Sequence, residues 1–340
     1  MKVATYLVLL LAMCAFGFGV FKAAGALRTE GAGVKRPTAT SAAPLAGTMY
    51  MAQDGAIYKL HGGTFTQITD NAGWTQPSAS PDGSKLVAVQ QHSAWSDIYL
   101  LDRNGRQLAQ LTHNQSSPIE ANHWTFQPRF SLDGSHVYFA YDNKAVGGTY
   151  KVDLSILAMP VDDSSGLVVW TTPNQYTGGD TDPVPLQDGG LVYTKYSIND
   201  KDEVHSQIWM AGRPLAIGTA LTQPDQDCAQ PAISSDEKSI AMICRHGQLQ
   251  TTQLVVASFD AATGAIGQPT VLVDGKLSAS PVFSPDGKTI AFLAPAQEGG
   301  AFQLWTVPVS TTTSPSPSAA KAATQNVGLD STAPPVWDGK

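Results

Sequence analysis

The chain has 340 residues and a formal net charge of −7, from 21 basic against 28 acidic residues. That balance leaves no basic stripe to track a phosphate backbone, which excludes nucleic acid as a natural partner. Only 14% of residues are charged while Gly and Pro number 31 and 22, a composition suited to many short strands joined by many turns.

Val3 to Phe21 is apolar but for Thr5, Tyr6 and Cys14. At about 1.5 Å per residue a helix of this length nearly spans a hydrocarbon core of about 30 Å, so residues 1–22 are expected to be an N-terminal transmembrane anchor. The alternative is a secretory signal peptide cut near Ala24-Gly25-Ala26, which has the small-x-small form. A lipoprotein signal ending at Cys14 would place the bulky Met13 where a small residue is expected. Lys2 alone precedes the span and Lys22, Arg28, Lys35 and Arg36 follow it. Positive-inside counting therefore opposes export, but long domains translocate largely regardless of charge. The expectation is a single-pass cell-membrane protein with its remainder extracytoplasmic, or a secreted one if the signal is cut. Residues 23–45, rich in Ala, Gly, Thr and Pro, read as a flexible linker.

From residue 46 onward short strands follow one another. Thr48–Met51, Ala56–Leu60 and Thr64–Thr69 are three strands, with Asp54-Gly55 and Gly62-Gly63 as the hairpin turns between them. A fuller unit then opens at Pro77: a short strand, the turn Pro81-Asp82-Gly83, Lys85–Val89, Asp97–Leu101 and Gln107–Leu111. Its plainest copy is Pro281-Val-Phe-Ser-Pro-Asp-Gly-Lys-Thr-Ile-Ala-Phe292. Opening prolines stand at 77, 128, 183, 231, 281 and 335, with intervals of 51, 55, 48, 50 and 54 by subtraction. Five residues after each of the first five comes an aspartate, at 82, 133, 188, 236 and 286; glycine follows four of these and Glu237 the other.

A period near 50 with four strands per period indicates a propeller of radial blades, in which each sheet buries both faces against its neighbours. A low-complexity linker over residues 310–330 precedes Ala333-Pro-Pro-Val-Trp-Asp338, which matches only the opening strand of a unit. The first unit lacks that strand. The two ends complement each other, and the expected fold is all-β: a six-bladed β-propeller over residues 46–340, closed by N- and C-terminal strands.

The tract Pro281 to Phe292 resembles the repeat of TolB-type six-bladed propellers, of the WD40-like β-propeller repeat class, over roughly Gly47 to Asp338. TolB carries a further N-terminal domain where this sequence has the 23–45 linker. The same repeat occurs in the propellers of prolyl oligopeptidase-like peptidases, which add a hydrolase domain. The resemblance implies the fold, and implies binding by loops at one end of the channel.

Chemistry is sparser. No Gly-x-Ser-x-Gly elbow, His-Glu-x-x-His helix, P-loop or dinucleotide fingerprint is present, and the seven histidines share no metal-ligand spacing, so no catalytic residue, metal or cofactor is assigned. The repeated aspartates suit a structural role, accepting backbone N–H bonds in the turns. Cys228 and Cys244 lie eight residues before and eight after Asp236, nearly opposite in a hairpin; they read either as a disulfide or as two small buried apolar residues. The channel-mouth loops contribute Trp74, Gln76, Trp124, Gln127, Asp182, Asp227 and Gln230 as the ligand-binding candidates. Aromatics beside carboxylates suit an envelope protein, a peptide or a glycan, unless Trp74 and Trp124 wedge between blades as packing residues. The leading expectation is a membrane-tethered, non-catalytic binding module. One alternative is a hydrolase or lyase whose carboxylates, such as Asp182 and Asp227, converge with raised pKa values. The other is a scaffold or sensor domain with no small ligand.

Overall fold

The computed structural model describes residues 45–144, 153–245, 251–309 and 320–339. Val3 to Phe21 and most of the 23–45 linker lie outside them. Among the described residues no helix is long and apolar enough to cross a membrane.

The strands gather into six sheets around an axis, a six-bladed propeller. Blade 1 comprises Val336–Asp338, Thr48–Gln53, Ala56–His61 and Thr64–Gln67, in that order from the channel outward. Blade 2 is Trp74–Ala79, Lys85–Gln91, Ser96–Asp102 and Gln107–Gln110. Blade 3 is Thr125–Phe130, His136–Asp142, Leu154–Pro160 and Val168–Val169; blade 4 is Asp180–Pro185, Leu191–Ile198, Val204–Ala211 and Thr219–Ala220. Blade 5 is Cys228–Ile233, Ser239–Cys244 and Thr252–Asp260, with its outer position split between Ala265–Ile266 and Thr270–Lys276. Blade 6 is Ala279–Phe283, Thr289–Pro295, Phe302–Pro308 and Lys321–Ala322.

Ring closure is antiparallel, pairing Thr48 with Asp338, Met49 with Trp337 and Tyr50 with Val336. The last sequence-read boundary shifts. Within the expected 310–330 linker, Lys321–Ala322 is the outer strand of blade 6, and Ala323, Val327 and Leu329 are buried against Leu304 and Leu60. Low-complexity composition masked three apolar residues that a neighbouring blade could bury.

Each second strand is apolar on both faces because each feeds two cores. In blade 1, Met49 and Met51 pack toward blade 6 with Leu293 and Leu304, while Tyr50 and Ala52 pack toward blade 2 with Leu86 and Tyr99. In blade 2, Leu86 and Ala88 face blade 1, and Val87 and Val89 face blade 3 with Val137 and Phe139. The side-chain period of two distributes a continuous apolar run to both neighbours. The hydrophobic stabilisation is thus spread over the blade interfaces, at about 1.5–3 kcal/mol for each large apolar side chain fully buried.

The Pro-Asp-Gly turns owe their shape to one serine and one carboxylate. Ser80, Ser131, Ser234 and Ser284 donate to Asp82, Asp133, Asp236 and Asp286 at 2.5–2.6 Å. Each of these aspartates also accepts the amide N–H two residues on. Gly83, Gly134, Gly189 and Gly287 adopt φ of +69° to +84°, and Glu237, in the same turn position, is forced to +54°. A second repeated device was not read from the sequence. Thr69, Thr112, Thr171, Thr222 and Thr324 follow outer strands and accept the amide N–H of a third-strand residue at 2.9–3.0 Å.

Candidate functional site

The chain direction gives the propeller two unlike faces. The Pro-Asp-Gly turns crowd one face, here the turn face. The connections entering the innermost strands, and those joining second to third strands, form the other, the loop face. Thr48–Gln53 is the second strand of its blade and Val336–Asp338 an innermost one, so the chain enters and leaves the propeller on the turn face. Trp337 Nε1 fastens the entry by donating to the Ala46 carbonyl at 2.7 Å. The described ends, Leu45 and Gly339, therefore lie away from the loop face.

The residue before each opening proline has an unusual backbone. Gln76, Gln127, Asp182, Gln230 and Ser280 have φ between +50° and +55°. In all five blades the register of innermost and second strands slips across this residue and its proline. These are β-bulges: an extra residue lets the strand bend, and proline, with no N–H to offer the ladder, fits beside it.

The bulges are stitched to one another around the channel. Gln127 donates its amide N–H to Gln76 Oε1 at 2.7 Å, Asp182 donates to Gln127 Oε1 at 2.9 Å, and Ser280 donates to Gln230 Oε1 at 2.8 Å. Gln230 donates its amide to Thr194 Oγ1 at 3.0 Å. Blade 1 completes the circuit: Gln76 Nε2 donates to the Thr332 carbonyl at 3.1 Å, and Ser280 Oγ to the Ser331 carbonyl at 3.4 Å. Each junction between neighbouring blades thus carries at least one such bond. The space left among Gln127, Arg129, Asp182, Gln230, Ser280 and the prolines is about 10 Å³, enough for roughly one water molecule.

The candidate residues therefore separate. Trp74 is 5% exposed, in the core between blades 1 and 2, edge-on to Tyr99 and donating Nε1 to Asp70 at 2.8 Å. It occupies the packing position, not an exposed platform. Trp124 is half-buried with its ring parallel to Phe126 at 6.1 Å. Gln76, Gln127, Gln230 and Asp182 are brought together in the channel wall, where they bond to one another. Asp227, at the top of blade 5, accepts from Ser206 N and Oγ, both at 2.8 Å, and pairs with Arg245 at 2.8 Å. Cys228 and Cys244 are directly opposite in the ladder and joined by a disulfide, next in sequence to that ion pair.

The electrostatics of the channel centre on Asp182. Burial pushes its carboxyl up from the ordinary range, against hydrogen bonds from Thr181 and Thr194 and the charge of Arg129. Burial, with the Asp182 charge behind it, likewise pushes the Tyr196 phenol up to about 12. Arg129, Thr194, Tyr196 and Ser280 were missed in the sequence. A signal existed for two of them: Ser280 stands in the column of polar residues before the prolines, and Arg129 directly follows Pro128. Among the described residues no group of three or more His, Cys, Asp or Glu side chains is placed to hold a metal ion.

No family model matches the chain, and no curated relative does. Solved structures do. A TolB from Acinetobacter baumannii superposes with a TM-score of 0.62 at 19% identity, over 86% of this chain and 66% of that one, just under two thirds of its length. A putative TolB from Agrobacterium tumefaciens gives a TM-score of 0.57 at 14% identity, covering 86% of this chain and 93% of that one. A prolyl endopeptidase gives 0.51 at 10% identity, covering 82% of this chain and 40% of that one. At these identities the likeness is one of fold: the chain is a TolB-like six-bladed propeller.

Proposed function

We propose that this propeller is a non-catalytic binding module that presents its loop face to a protein partner of the cell envelope. The observation that carries this reading is the closed circuit at the channel. The amides and the carboxylate that would serve a small ligand or a reaction are engaged in joining blades. The remaining space takes about one water, so recognition falls to the outer loops. The described ends, Leu45 and Gly339, lie on the opposite face, so a tether joined at Leu45 would start away from the loop face. The Cys228–Cys244 disulfide fits an oxidising, extracytoplasmic compartment. Anchoring through Val3 to Phe21 belongs to this proposal, and fractionation with N-terminal sequencing of the mature protein tests it: a cytoplasmic chain with free thiols would reject it.

A second reading, acid–base catalysis, draws on the raised carboxyl of Asp182 beside Arg129 and Tyr196. Its expected partner, Asp227, is instead locked to Arg245 and Ser206. Turnover of any peptide or glycan that is abolished by Asp182→Asn, with folding intact, would favour this reading over the first.

A further inference from the structure

Blade 4 carries an apolar surface that the described residues leave exposed. Its second and third strands pair over eight positions, from Leu191 with Ala211 to Ile198 with Val204, the longest second-to-third ladder among the described residues. The final pair stands at the loop face with Ile198 42% and Val204 48% exposed. The preceding inter-blade loop leans on the same hairpin, because Asn174 Nδ2 donates to the Tyr196 carbonyl and to Ser197 Oγ, both at 2.9 Å. Asp153 clamps that loop, accepting the amides of Tyr176, Thr177 and Gly178 at 2.8–3.1 Å. Tyr176 is thereby held at φ +64° with 70% of its surface in water. A bulky residue fixed in that backbone region thus gains little burial from the described residues in return.

Charge decides what covers these three side chains. The hairpin tip carries Asp200, Asp202 and Glu203 against Lys201 alone. Asn199 builds the tip, accepting the amides of Lys201 and Glu203 and donating to Glu203 Oε2 at 3.0 Å. The short helical turn Pro224–Gln226, with exposed Asp225, packs against Val204–Ala211 and adds another carboxylate. Among the described residues no cation pairs with Asp200, Asp202, Glu203 or Asp225. A second copy of this chain, at net charge −7, or an anionic lipid surface would meet like charge here.

We propose that Tyr176, Ile198 and Val204 dock a cationic polypeptide segment. One apolar or aromatic side chain seats on the three, and flanking Lys or Arg side chains pair with Asp200, Asp202 and Glu203. This rests on the reading of the loop face as the binding surface and names the partner class for one sector of it.

The test titrates the full chain with three short synthetic peptides, alternating Lys-Leu, Lys-Ser and Glu-Leu, at physiological ionic strength. The Lys-Leu peptide is expected to bind and the other two to bind at least about tenfold more weakly, since charge and apolar contact are both required. Tyr176→Ser, and separately the triple variant Asp200→Asn, Asp202→Asn, Glu203→Gln, should each weaken Lys-Leu binding at least about tenfold. A control triple elsewhere on the loop face, Glu120→Gln, Asp274→Asn, Glu298→Gln, removes the same charge and should change binding less than about twofold. Unchanged thermal midpoints check that all variants fold. The inference is overturned if no peptide binds, if the control triple weakens binding as much as the tip triple, or if Lys-Ser binds as well as Lys-Leu. If the native partner still crosslinks to the loop face while the Tyr176 and tip variants bind it normally, this inference alone fails. A partner footprint on the turn face overturns the functional reading as well.

Discussion

Gln127 and Asp182 are bound to each other twice across the junction of blades 3 and 4. The Asp182 amide donates to Gln127 Oε1 at 2.9 Å, and Gln127 Nε2 donates back to Asp182 Oδ1 at 2.7 Å. One glutamine side chain thus satisfies both the bulge backbone and the channel carboxylate of the next blade. Its replacement by leucine leaves a donor and an acceptor unpaired in the channel wall. Gln127→Leu is expected to lower unfolding free energy by about 2–3 kcal/mol, measured by urea denaturation, with partner affinity little changed. A variant of native stability that has lost its partner would instead make Gln127 a recognition residue.

The same pair gives a pH dependence whose sign differs from that of the turns. The folded-state pKa of Asp182 is raised by burial, so the native state favours its protonated form. Its stabilising contribution is present below the unfolded carboxylate value and is lost as pH rises through the folded one. Asp182→Asn keeps an acceptor for Gln127 and removes the charge. The variant should be the more stable protein at neutral pH, and the advantage should shrink on acidification. Denaturant midpoints of both proteins across that range provide the measurement.

The turn aspartates act in the opposite sense. Hydrogen bonds from Ser131 and Ser135 lower Asp133 to about 2, and Asp236 and Asp286 are lowered by the corresponding serine and backbone bonds. The contribution of each is present above the ordinary value of 3.8 and is lost as pH falls through the lowered folded-state value, which for Asp133 is about 2. The wild type should therefore lose stability on the acid side, and Asp133→Asn should flatten that limb while lowering stability at neutral pH.

The disulfide closes a separation of 16 residues within one hairpin. A loop of that size stabilises by about 3 kcal/mol in the chain-entropy account. The double variant Cys228→Ala, Cys244→Ala should lose about 2–4 kcal/mol in guanidinium titrations. Reductant should shift the midpoint of the wild type and leave that of the variant unmoved.

Closure can be tested by removing residues 332–340. Tyr50, which is fully buried, then loses its ladder partner Val336, and the Thr48–Gln53 strand becomes a bare channel-side edge. A loss above about 4 kcal/mol is expected, in the range of severe structural lesions. A truncated chain as stable as the intact one would remove the terminal strand from the account of the ring.

Much of this architecture was legible because it repeats. The proline and aspartate columns marked the innermost strands and turns, and the missing first strand of blade 1 was visible as the surplus Val336–Asp338 at the other end. The site was less legible, for a physical reason. Gln76, Gln127, Asp182 and Gln230 read as ligand-binding residues of the channel-mouth loops, whereas they stand in bulges of the innermost strands; an exposed ligand residue and a bulge residue bonded to its neighbour look alike in one dimension. What distinguishes them is a positive φ and a partner about 50 residues away. Trp74 differs in the same way from Trp124: its burial depends on Tyr99 of the same blade and Tyr50 of the preceding one. The outer strand of blade 6 was hidden in a run of Ala, Ser and Thr whose few apolar residues matter only through packing against blades 6 and 1.

The most direct test of the loop face as the recognition surface is photocrosslinking in intact cells. Residues carrying the crosslinker would replace Trp95, His113 and Tyr176 on the loop face, and Ser84, Ser135 and Lys288 on the turn face. The account predicts one common adduct from the loop-face positions and none from the turn face. Adducts from the turn face alone, or no adduct together with turnover of a substrate, would contradict it.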